Sequence, residues 1–469
     1  MTTTARPDTT TATTAAPPLG RTTPRPPRDR SDRPRRGARG TGRLDWSSWP
    51  RYDAATTGLR GYWYPVTWAS KVTDTPTALT LCGNKITLVR EGSDIFALAD
   101  RCPHRGVPLS LGSKQFPGTL SCAYHGWTYG LSDGVLKAVI TDGPDSPICG
   151  KVNVRTYPVE QRLGLVWVYV GSPGQEPPPL DDQLPEELVH NPVTVGGRID
   201  PRTGNWRFAV ENGYDEGHAK YLHRTSTWRL FKTMPTWNVT RIVERGRWIY
   251  RVQDEVHWEA DFPGLGTWSN KRWWKKKPPP GDTPQIGNTG GSKAPDPVIA
   301  AQEFPGFASL ALPGILRIAY PTFIHYEFYV PVDADHHLYV GLMADFRSGL
   351  GAAKFRAKYL AAVRWLFHGE FSGQDAWMVD VCDAPPERLY RPDLSLTAWR
   401  KMVEQGPPDP PEPAMAAAGL PASKRPEAGP GPSPAVRADA AQDPSATTAS
   451  SPVNAGRSAA AAVQGPAGP

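Results

Sequence analysis

The chain has 469 residues, of which 39% are hydrophobic and 21% charged, so it is long enough for two or three domains with hydrophobic cores and is not disordered throughout. Its formal net charge of +7 equals the excess of ten arginines over three acidic residues within residues 1–44, so the remainder is neutral and nucleic acid is not indicated as a partner. Five cysteines, an odd number, argue against a disulfide framework, and no stretch approaches the roughly 18 apolar residues of a membrane span.

Two terminal segments contain few large apolar side chains. Residues 1–44 are rich in Thr, Pro and Arg, and residues 406–469 are rich in Pro, Ala, Gly and Ser. Neither segment can bury enough surface to offset the entropy lost on ordering, so we predict a disordered basic tail and a disordered Pro/Ala-rich tail. An organelle transit peptide is the alternative for residues 1–44, but frequent prolines favour the tail. We expect a cytoplasmic protein, because no apolar signal sequence is present.

Residues 45–175 have the features of a compact β-rich domain. Residues 85–90, 95–99 and 163–170 are short apolar stretches typical of strands, and Asp133-Gly134 is typical of a turn. The Pro-rich residues 171–180 indicate a linker, which places the end of this domain near residue 175.

The β-rich domain contains two short segments with metal-ligand residues. Their pattern is C-x-H, seventeen intervening residues, and C-x-x-H, and the candidate ligands are Cys102, His104, Cys122 and His125. Two thiolates and two imidazoles suit zinc, but they also suit a [2Fe–2S] centre of the Rieske kind, in which two histidines replace two cysteines on one iron. Gly106 and Gly126 favour the cluster, because glycine lets backbone N–H groups approach bridging sulfides.

Residues 176–405 are predicted to form an α+β domain. Residues 316–332 and 337–345 are expected to be neighbouring antiparallel strands, and apolar residues at helical spacing predict helices over 352–367 and 373–382. A sheet with helices packed on it defines this fold class. The apolar and aromatic segments 206–210 and 304–323 are candidates for lining a hydrophobic pocket.

Residues 212–223 (NGYDEGHAKYLH) are predicted to form a polar helix. Asp215, His218 and His223 would share roughly one face of it. Two imidazoles and one carboxylate are the ligands of non-haem iron(II), which keeps open positions for oxygen. A polar amphipathic helix without a metal is the alternative, and the presence of a second metal motif in the same chain favours iron.

The two metal motifs together resemble those of the Rieske non-haem iron oxygenases. Residues 101–109 (RCPHRGVPL) and 122–127 (CAYHGW) resemble the cluster loops, and residues 61–66 (GYWYPV) resemble the entry to that domain. Neither loop has the second cysteine of the cytochrome-bc type. The spacing D-x-x-H-x-x-x-x-H resembles the catalytic domain. The resemblance spans about residues 60–400 and implies a catalytic alpha subunit, with a Rieske domain followed by a helix-grip domain.

The resemblance also implies roles for the second motif. His218 and His223 would bind the mononuclear iron. Asp215 would hydrogen-bond His218 and the cluster ligand His125 of the neighbouring subunit, in a ring-shaped homotrimer. Asn212 matches a position near the iron that is often Asn.

The third iron ligand is expected to be a carboxylate at the start of a downstream helix. Asp375, beside Gln374, is the preferred candidate. Asp380 and Asp383 remain alternatives, because the phase of the helix is inferred from the spacing of apolar residues.

The function expected from the resemblance is oxygenation of a small hydrophobic substrate, aromatic or polycyclic, with O2. No flavin or nicotinamide motif is visible, so a ferredoxin or flavin reductase would supply electrons, and NAD(P)H would act only through that partner. Demethylation or oxidative cyclisation is one alternative, and a non-enzymatic Rieske electron-transfer protein is another. The basic aromatic residues 271–277 (KRWWKKK) are expected to be a solvated loop, with donor docking or a substrate lid as alternatives.

Overall fold

The computed structural model describes residues 48–227, 234–270, 308–320, 323–382, 387, 389, 393–407 and 409. The predicted tail 1–44, most of the predicted tail 406–469, the basic segment 271–277 and the candidate ligand Asp383 lie outside the described residues. Within the described ranges, no helix has the length and apolar character needed to cross a membrane.

The first half of the described chain consists of a short helix and ten strands in three small antiparallel sheets. These elements are α1 (Pro50–Ala54), β1 (Tyr62–Trp68), β2 (Thr77–Leu81), β3 (Asn84–Glu91), β4 (Asp94–Ala99), β5 (Thr119–Ser121), β6 (Trp127–Gly130), β7 (Leu136–Val139), β8 (Thr156–Tyr157), β9 (Val159–Arg162) and β10 (Leu165–Val170). The sheet orders are β1-β10-β9, β2-β3-β4-β8 and β5-β6-β7. Strand β10 is apolar and buried along its whole length because it lies between β1 and β9.

The second half contains a seven-stranded sheet with the order β11-β19-β18-β17-β16-β13-β12 and a separate hairpin, β14-β15. The strands are β11 (Thr194–Thr203), β12 (Trp237–Arg245), β13 (Trp248–His257), β14 (Glu259–Phe262), β15 (Gly266–Ser269), β16 (Ala308–Ala311), β17 (Ile315–Tyr320), β18 (Phe323–Pro331) and β19 (His336–Asp345). The helices are α2 (Glu186–His190), α3 (Trp206–Tyr214), α4 (Glu216–Tyr221), α5 (Leu350–Lys358), α6 (Ser372–Val381) and α7 (Leu394–Gln405). The predicted fold class, β-rich then α+β, is confirmed.

The main hydrophobic core is shared by the two halves. Trp167 of β10 meets Phe328 of β18 edge to face, with ring centroids 5.4 Å apart. A smaller core lies under the two cysteine loops and includes Leu98, Leu120 and Tyr129. The cysteine loops therefore rest on their own core, while the sheet β1-β10-β9 packs against the large sheet.

The prediction of one helix over 212–223 was wrong. Helix α3 ends at Tyr214, Asp215 is extended with φ −67° and ψ 133°, and α4 begins at Glu216. His223 lies in a 3-10 helix, Leu222–Thr225. The break occurs because the Asp215 side chain accepts the backbone N–H groups of Gly217 and His218, which makes it the N-cap of α4.

Two other predicted elements are divided. The predicted strand 316–332 is the antiparallel pair β17 and β18, in which Tyr320 pairs with Phe323, so the chain reverses between them. The predicted helix 352–367 begins as α5 and continues as a π-helix, Tyr359–Phe371. Such wider turns are frequent at functional sites.

Arg400 of α7 connects this helix to α3 through a buried ion pair. Its Nε lies 2.6 Å from Glu211 Oε1 and its Nη2 lies 3.1 Å from Glu211 Oε2. We expect Arg400→Leu to lower the free energy of unfolding by about 3–5 kcal/mol, because Glu211 would stay buried without the guanidinium. The adjacent Lys401 pairs with Glu244 at the surface, so Lys401→Ala should cost less than about 1 kcal/mol. Equal losses in urea titrations would contradict this.

Candidate metal centres

The two cysteine loops have the same backbone closure. In the first loop, Cys102 N donates to Val107 O and Gly106 N donates to Cys102 O, each over 2.8 Å. The second loop repeats these bonds at 2.8 and 3.1 Å between Cys122, Gly126 and Trp127. Both glycines have positive φ, +75° and +64°, which L side chains adopt at a cost. The sequence C-x-x-x-G thus folds twice into one tight loop.

The four predicted cluster ligands are divided between an inner and an outer side. Cys102 and Cys122 are buried, with 2% and 4% of their surface exposed. Burial raises the pKa of the Cys102 thiol, and the Tyr129 hydroxyl lies 3.3 Å from its sulfur. His104 and His125 lie further out, with ring centroids 4.6 Å apart. Two soft sulfur ligands below two imidazoles fit the unequal irons of a Rieske cluster.

Aromatic rings hold the two outer imidazoles. His104 stacks on Trp127 with a centroid distance of 4.6 Å and an interplanar angle of 2°. Tyr124 covers His125 at 3.8 Å and is itself 56% exposed. The cluster side of the domain therefore presents an aromatic, solvent-facing surface.

The second predicted site brings three side chains together from distant parts of the chain. His218 Nε2 lies 3.3 Å from Asp375 Oδ1, and His223 Nε2 lies 3.2 Å from the same oxygen. His218 is on α4, His223 is fully buried in the following 3-10 helix, and Asp375 is on α6. The alternative carboxylate Asp380 lies on the same helix but is exposed and accepts a hydrogen bond from Thr203, over 2.6 Å, away from the histidines.

These three residues have the donor set and the unsatisfied atoms of a metal site. His223 Nε2 and Asp375 Oδ1 are buried atoms, and neither makes a hydrogen bond of acceptable geometry in the described structure. The ligand atoms of all three residues lie within 4.8 Å of one another. A divalent ion would satisfy both orphan atoms, and two imidazoles with one carboxylate fit iron(II).

Two further contacts orient the imidazoles. Gln374 Oε1 lies at a hydrogen-bond distance of 2.7 Å from His223 Nδ1, and Asp215 Oδ2 lies 3.3 Å from His218 Nδ1 as an ion-pair contact without hydrogen-bond geometry. Each of these contacts leaves the opposite nitrogen, Nε2, facing Asp375. The role of Gln374 was missed at the sequence level, although its position beside Asp375 was noted.

The charges of the site perturb its titrating groups. Burial lowers the pKa of His218, but its contacts with Asp215 and Asp375 outweigh burial and raise that pKa to about 9. Burial likewise raises the pKa of Asp215, and the contact with His218 outweighs it, giving a pKa of about 2. The pKa of Asp375 lies well below its ordinary value because the two histidines outweigh burial. Without a metal, His218 is therefore a cation between two anions.

Two other residues border this site. Asn212, on α3, lines a small cavity together with Asp375, Glu327 and Tyr329. The ring of Phe371 stacks on His223, with centroids 3.5 Å apart and an interplanar angle of 20°. Phe371 could not be assigned to the site from sequence, because it ends a π-helix whose pitch does not follow the usual apolar period.

Two family models match the chain. Residues 62–158 match the Rieske [2Fe-2S] domain, and residues 169–237 match a family described as homotrimeric ring hydroxylase.

Several oxygenases are similar to this chain over most of its length. The terminal oxygenase component of carbazole 1,9a-dioxygenase from Sphingomonas sp is 30% identical over 385 residues, which are 76% of this chain and 94% of that protein. The structure of the corresponding oxygenase from Nocardioides aromaticivorans IC177 is 29% identical, covers 76% of this chain and 97% of its own, and has a TM-score of 0.64. The oxygenase in a reduced complex with ferredoxin is 26% identical, covers 77% and 93%, and has a TM-score of 0.64.

These matches decide between the alternatives that the sequence left open. The match to the Rieske domain favours a [2Fe–2S] cluster over a structural zinc ion. The similarity extends over nearly the whole length of oxygenases, which does not favour an electron carrier without a catalytic site. The predicted family, enzyme class and cofactors are confirmed. The chain belongs to the Rieske non-haem iron oxygenases, as an alpha subunit that carries a [2Fe–2S] cluster and a mononuclear iron and uses O2.

Proposed function

We propose that this protein hydroxylates a hydrophobic aromatic or polycyclic substrate, by mono- or dioxygenation. In this proposal the cluster is held by Cys102, His104, Cys122 and His125, and the iron by His218, His223 and Asp375. The main observation in support of this proposal is that two imidazoles and one carboxylate lie close together and include buried atoms without a hydrogen-bond partner. The same chain also has the two Rieske-like cysteine loops. Iron(II) in such a site supplies open coordination positions at which O2 is activated.

The side chains around the proposed iron have separate tasks. Gln374 hydrogen-bonds His223 Nδ1, and the Asp215 carboxylate lies 3.3 Å from His218 Nδ1, so both rings keep Nε2 toward Asp375. Asn212, which borders the same cavity as Asp375, is proposed to lie near the iron. Phe371 covers one face of the His223 ring and excludes water from that side.

An aromatic substrate is supported by the residues beside His223. Phe371 lies next to Phe367, which in turn meets Tyr320 and Phe323 edge to face at 5.8 Å. Offset and edge-to-face contacts of this kind also stabilise a bound aromatic ring. The relatives named above are oxygenases of carbazole, a tricyclic aromatic compound.

We further propose a homotrimer that receives electrons from a ferredoxin in the cytoplasm. The second family model describes a homotrimeric hydroxylase, and a similar oxygenase has been observed in complex with ferredoxin. We propose residues 45–175 as the Rieske domain and 176–405 as the catalytic domain; the Rieske match, 62–158, lies within the first range, and the ring-hydroxylase match, 169–237, begins shortly before the second.

The test is anaerobic purification followed by EPR of the reduced protein, with iron and acid-labile sulfide measured on the same sample. A Rieske signal, with iron exceeding sulfide by about one per chain, supports both sites. Carbazole and related tricyclic compounds would then be incubated with the protein, a ferredoxin, its reductase and labelled O2. Label in a hydroxylated product supports the proposal, and a Rieske signal without bound extra iron or product contradicts it.

Ferrous ion affinity is expected to rise with pH up to about 9, where His218 of the metal-free protein loses its proton. In the metal-free protein His218 keeps its proton up to about pH 9, and iron must displace that proton to bind. Each unit of pH below 9 should therefore weaken binding by about tenfold. Anaerobic titrations against a ferrous chelator measure this, and an affinity independent of pH would contradict it.

A further inference from the structure

A row of polar side chains lies on one buried face of the large sheet. His325, Glu327 and Tyr329 alternate along β18, and Tyr339 lies on β19 directly opposite Tyr329. Between 1% and 5% of the surface of each is exposed. Buried polar side chains are stable in a protein core when each of them makes hydrogen bonds. The donor and the acceptor of each bond in this row therefore indicate which of its members is charged.

Glu327 is the acceptor at the centre of the row. The Tyr329 hydroxyl donates to Glu327 Oε2, and the Tyr339 hydroxyl donates to Glu327 Oε1 over 3.0 Å. Since the single hydrogen of Tyr339 is used in this bond, His325 Nε2, 3.3 Å away, is the donor to the Tyr339 oxygen. Both oxygens of Glu327 thus act only as acceptors, as those of an ionised carboxylate do.

No basic side chain in the described residues donates to this carboxylate. The nearest ionisable nitrogen is His325 Nε2, 3.6 Å from Glu327 Oε1. Burial lowers the pKa of His325 and outweighs the opposing effect of Glu327, so the imidazole is neutral. A buried anion stabilised only by neutral donors is costly unless a cation lies close by.

Glu327 shares one small cavity with a proposed ligand of the cation. Glu327, Tyr329 and Tyr339 line that cavity together with Asn212 and Asp375. Asp375 is close enough that its charge adds to the rise in the pKa of Tyr329, after burial and Glu327. Glu327 therefore lines the same cavity as the proposed metal-binding carboxylate, Asp375.

The tyrosines of this row also contact the two segments that carry the site. A Cβ atom at Gly213 would lie 1.9 Å from the Tyr329 hydroxyl, so this hydroxyl rests on the backbone two residues before Asp215. Arg202 lies 3.8 Å over the Tyr339 ring and donates to Ser372 Oγ over 2.8 Å at the start of α6. The position of Glu327 relative to the site is thus held on two sides.

We propose that Glu327 is a second buried carboxylate of the iron site, which binds no metal but stabilises the bound cation by its negative charge. This inference rests on the proposed function, because it requires iron at His218, His223 and Asp375. A bound metal ion is the largest local charge in such a site, and the low dielectric of the interior keeps its attraction to Glu327 effective. Tyr329 reduces that attraction by donating to the carboxylate.

Three variants of the whole protein test this proposal through ferrous ion binding. Glu327→Gln removes the charge and should raise the dissociation constant of iron by about tenfold or more. Tyr329→Phe removes one hydrogen-bond donor to Glu327, so the carboxylate charge is less neutralised. The dissociation constant of iron should therefore fall. Tyr326→Phe is the matched control, because its hydroxyl donates to the buried Glu187 from the opposite face of the same strand, and it should bind iron like the wild type.

Anaerobic titration with ferrous ion against a chelator gives the three constants, and far-ultraviolet circular dichroism with urea unfolding reports whether each variant is folded. Opposite shifts for Glu327→Gln and Tyr329→Phe support the proposal, since a merely structural role would weaken binding in both. Constants equal to that of Tyr326→Phe overturn it. If Glu327→Gln does not fold, Tyr329→Phe alone decides by its sign. Absence of iron binding by the wild type would instead overturn the proposed function.

Discussion

Replacement of Asp375 by asparagine is expected to remove the mononuclear iron and leave the [2Fe–2S] cluster in place. The substitution keeps the size of the side chain but removes the one carboxylate that both His218 and His223 face, at 3.3 and 3.2 Å. Two neutral imidazoles alone are weak ligands for iron(II), which prefers a mixed set with an anionic oxygen. The affinity for iron should fall by more than roughly 100-fold, which is the largest loss usual for residues that only hydrogen-bond a metal ligand.

Iron analysis and turnover measure this effect, and Asp380→Asn is the matched control. Asp380 is five residues further along α6, is exposed, and accepts a hydrogen bond from Thr203. The control should keep wild-type iron content and activity, with an intact cluster signal in both variants. Equal iron loss in the two variants would indicate that helix α6 had been disturbed. Full iron content in Asp375→Asn would reject Asp375 as a ligand.

The second large effect is expected for Asp215→Asn, which should retain both metal centres and lose turnover by about 10–100-fold. Asparagine caps helices about as well as aspartate, but it has one acceptor oxygen, so only one of the bonds from Gly217 N and His218 N, which end on different oxygens of Asp215, can persist. What is lost is the negative charge beside His218 Nδ1 and the acceptor proposed to face His125 of the neighbouring subunit. The orientation of His218 and electron delivery should suffer while the fold does not.

Comparison of Asp215→Asn with Asp215→Ala separates the two functions of this residue. Alanine also removes the N-cap of α4 and should lower stability by a further ~1 kcal/mol. The rate at which O2 and substrate reoxidise the reduced cluster, followed by its visible absorbance, measures electron delivery directly. Wild-type reoxidation rates in Asp215→Asn would show that the carboxylate does not support this step.

The candidate ligands of the first site could be proposed from the sequence because they are local. Cys102 with His104, and Cys122 with His125, lie within single loops whose closing bonds involve only neighbouring residues and a glycine with positive φ. Loops of this kind form from short-range sequence, so their residues could be identified by spacing alone. His218 and His223 were proposed as iron ligands for the same reason, although the helix between Asn212 and His223 was wrongly taken to be continuous.

The sequence by itself determined the family, the order of the two metal motifs and the fold class. Only the tertiary structure showed that Asp375 approaches the histidines and that Gln374, 151 residues from His223 in the chain, contacts the His223 ring, because the phase of α6 depends on packing. It alone revealed Phe371, aligned by a π-helix, and Glu327, which in the sequence is one polar residue in an apolar strand. Contacts between distant segments depend on how elements pack against one another, and a one-dimensional period carries no such information.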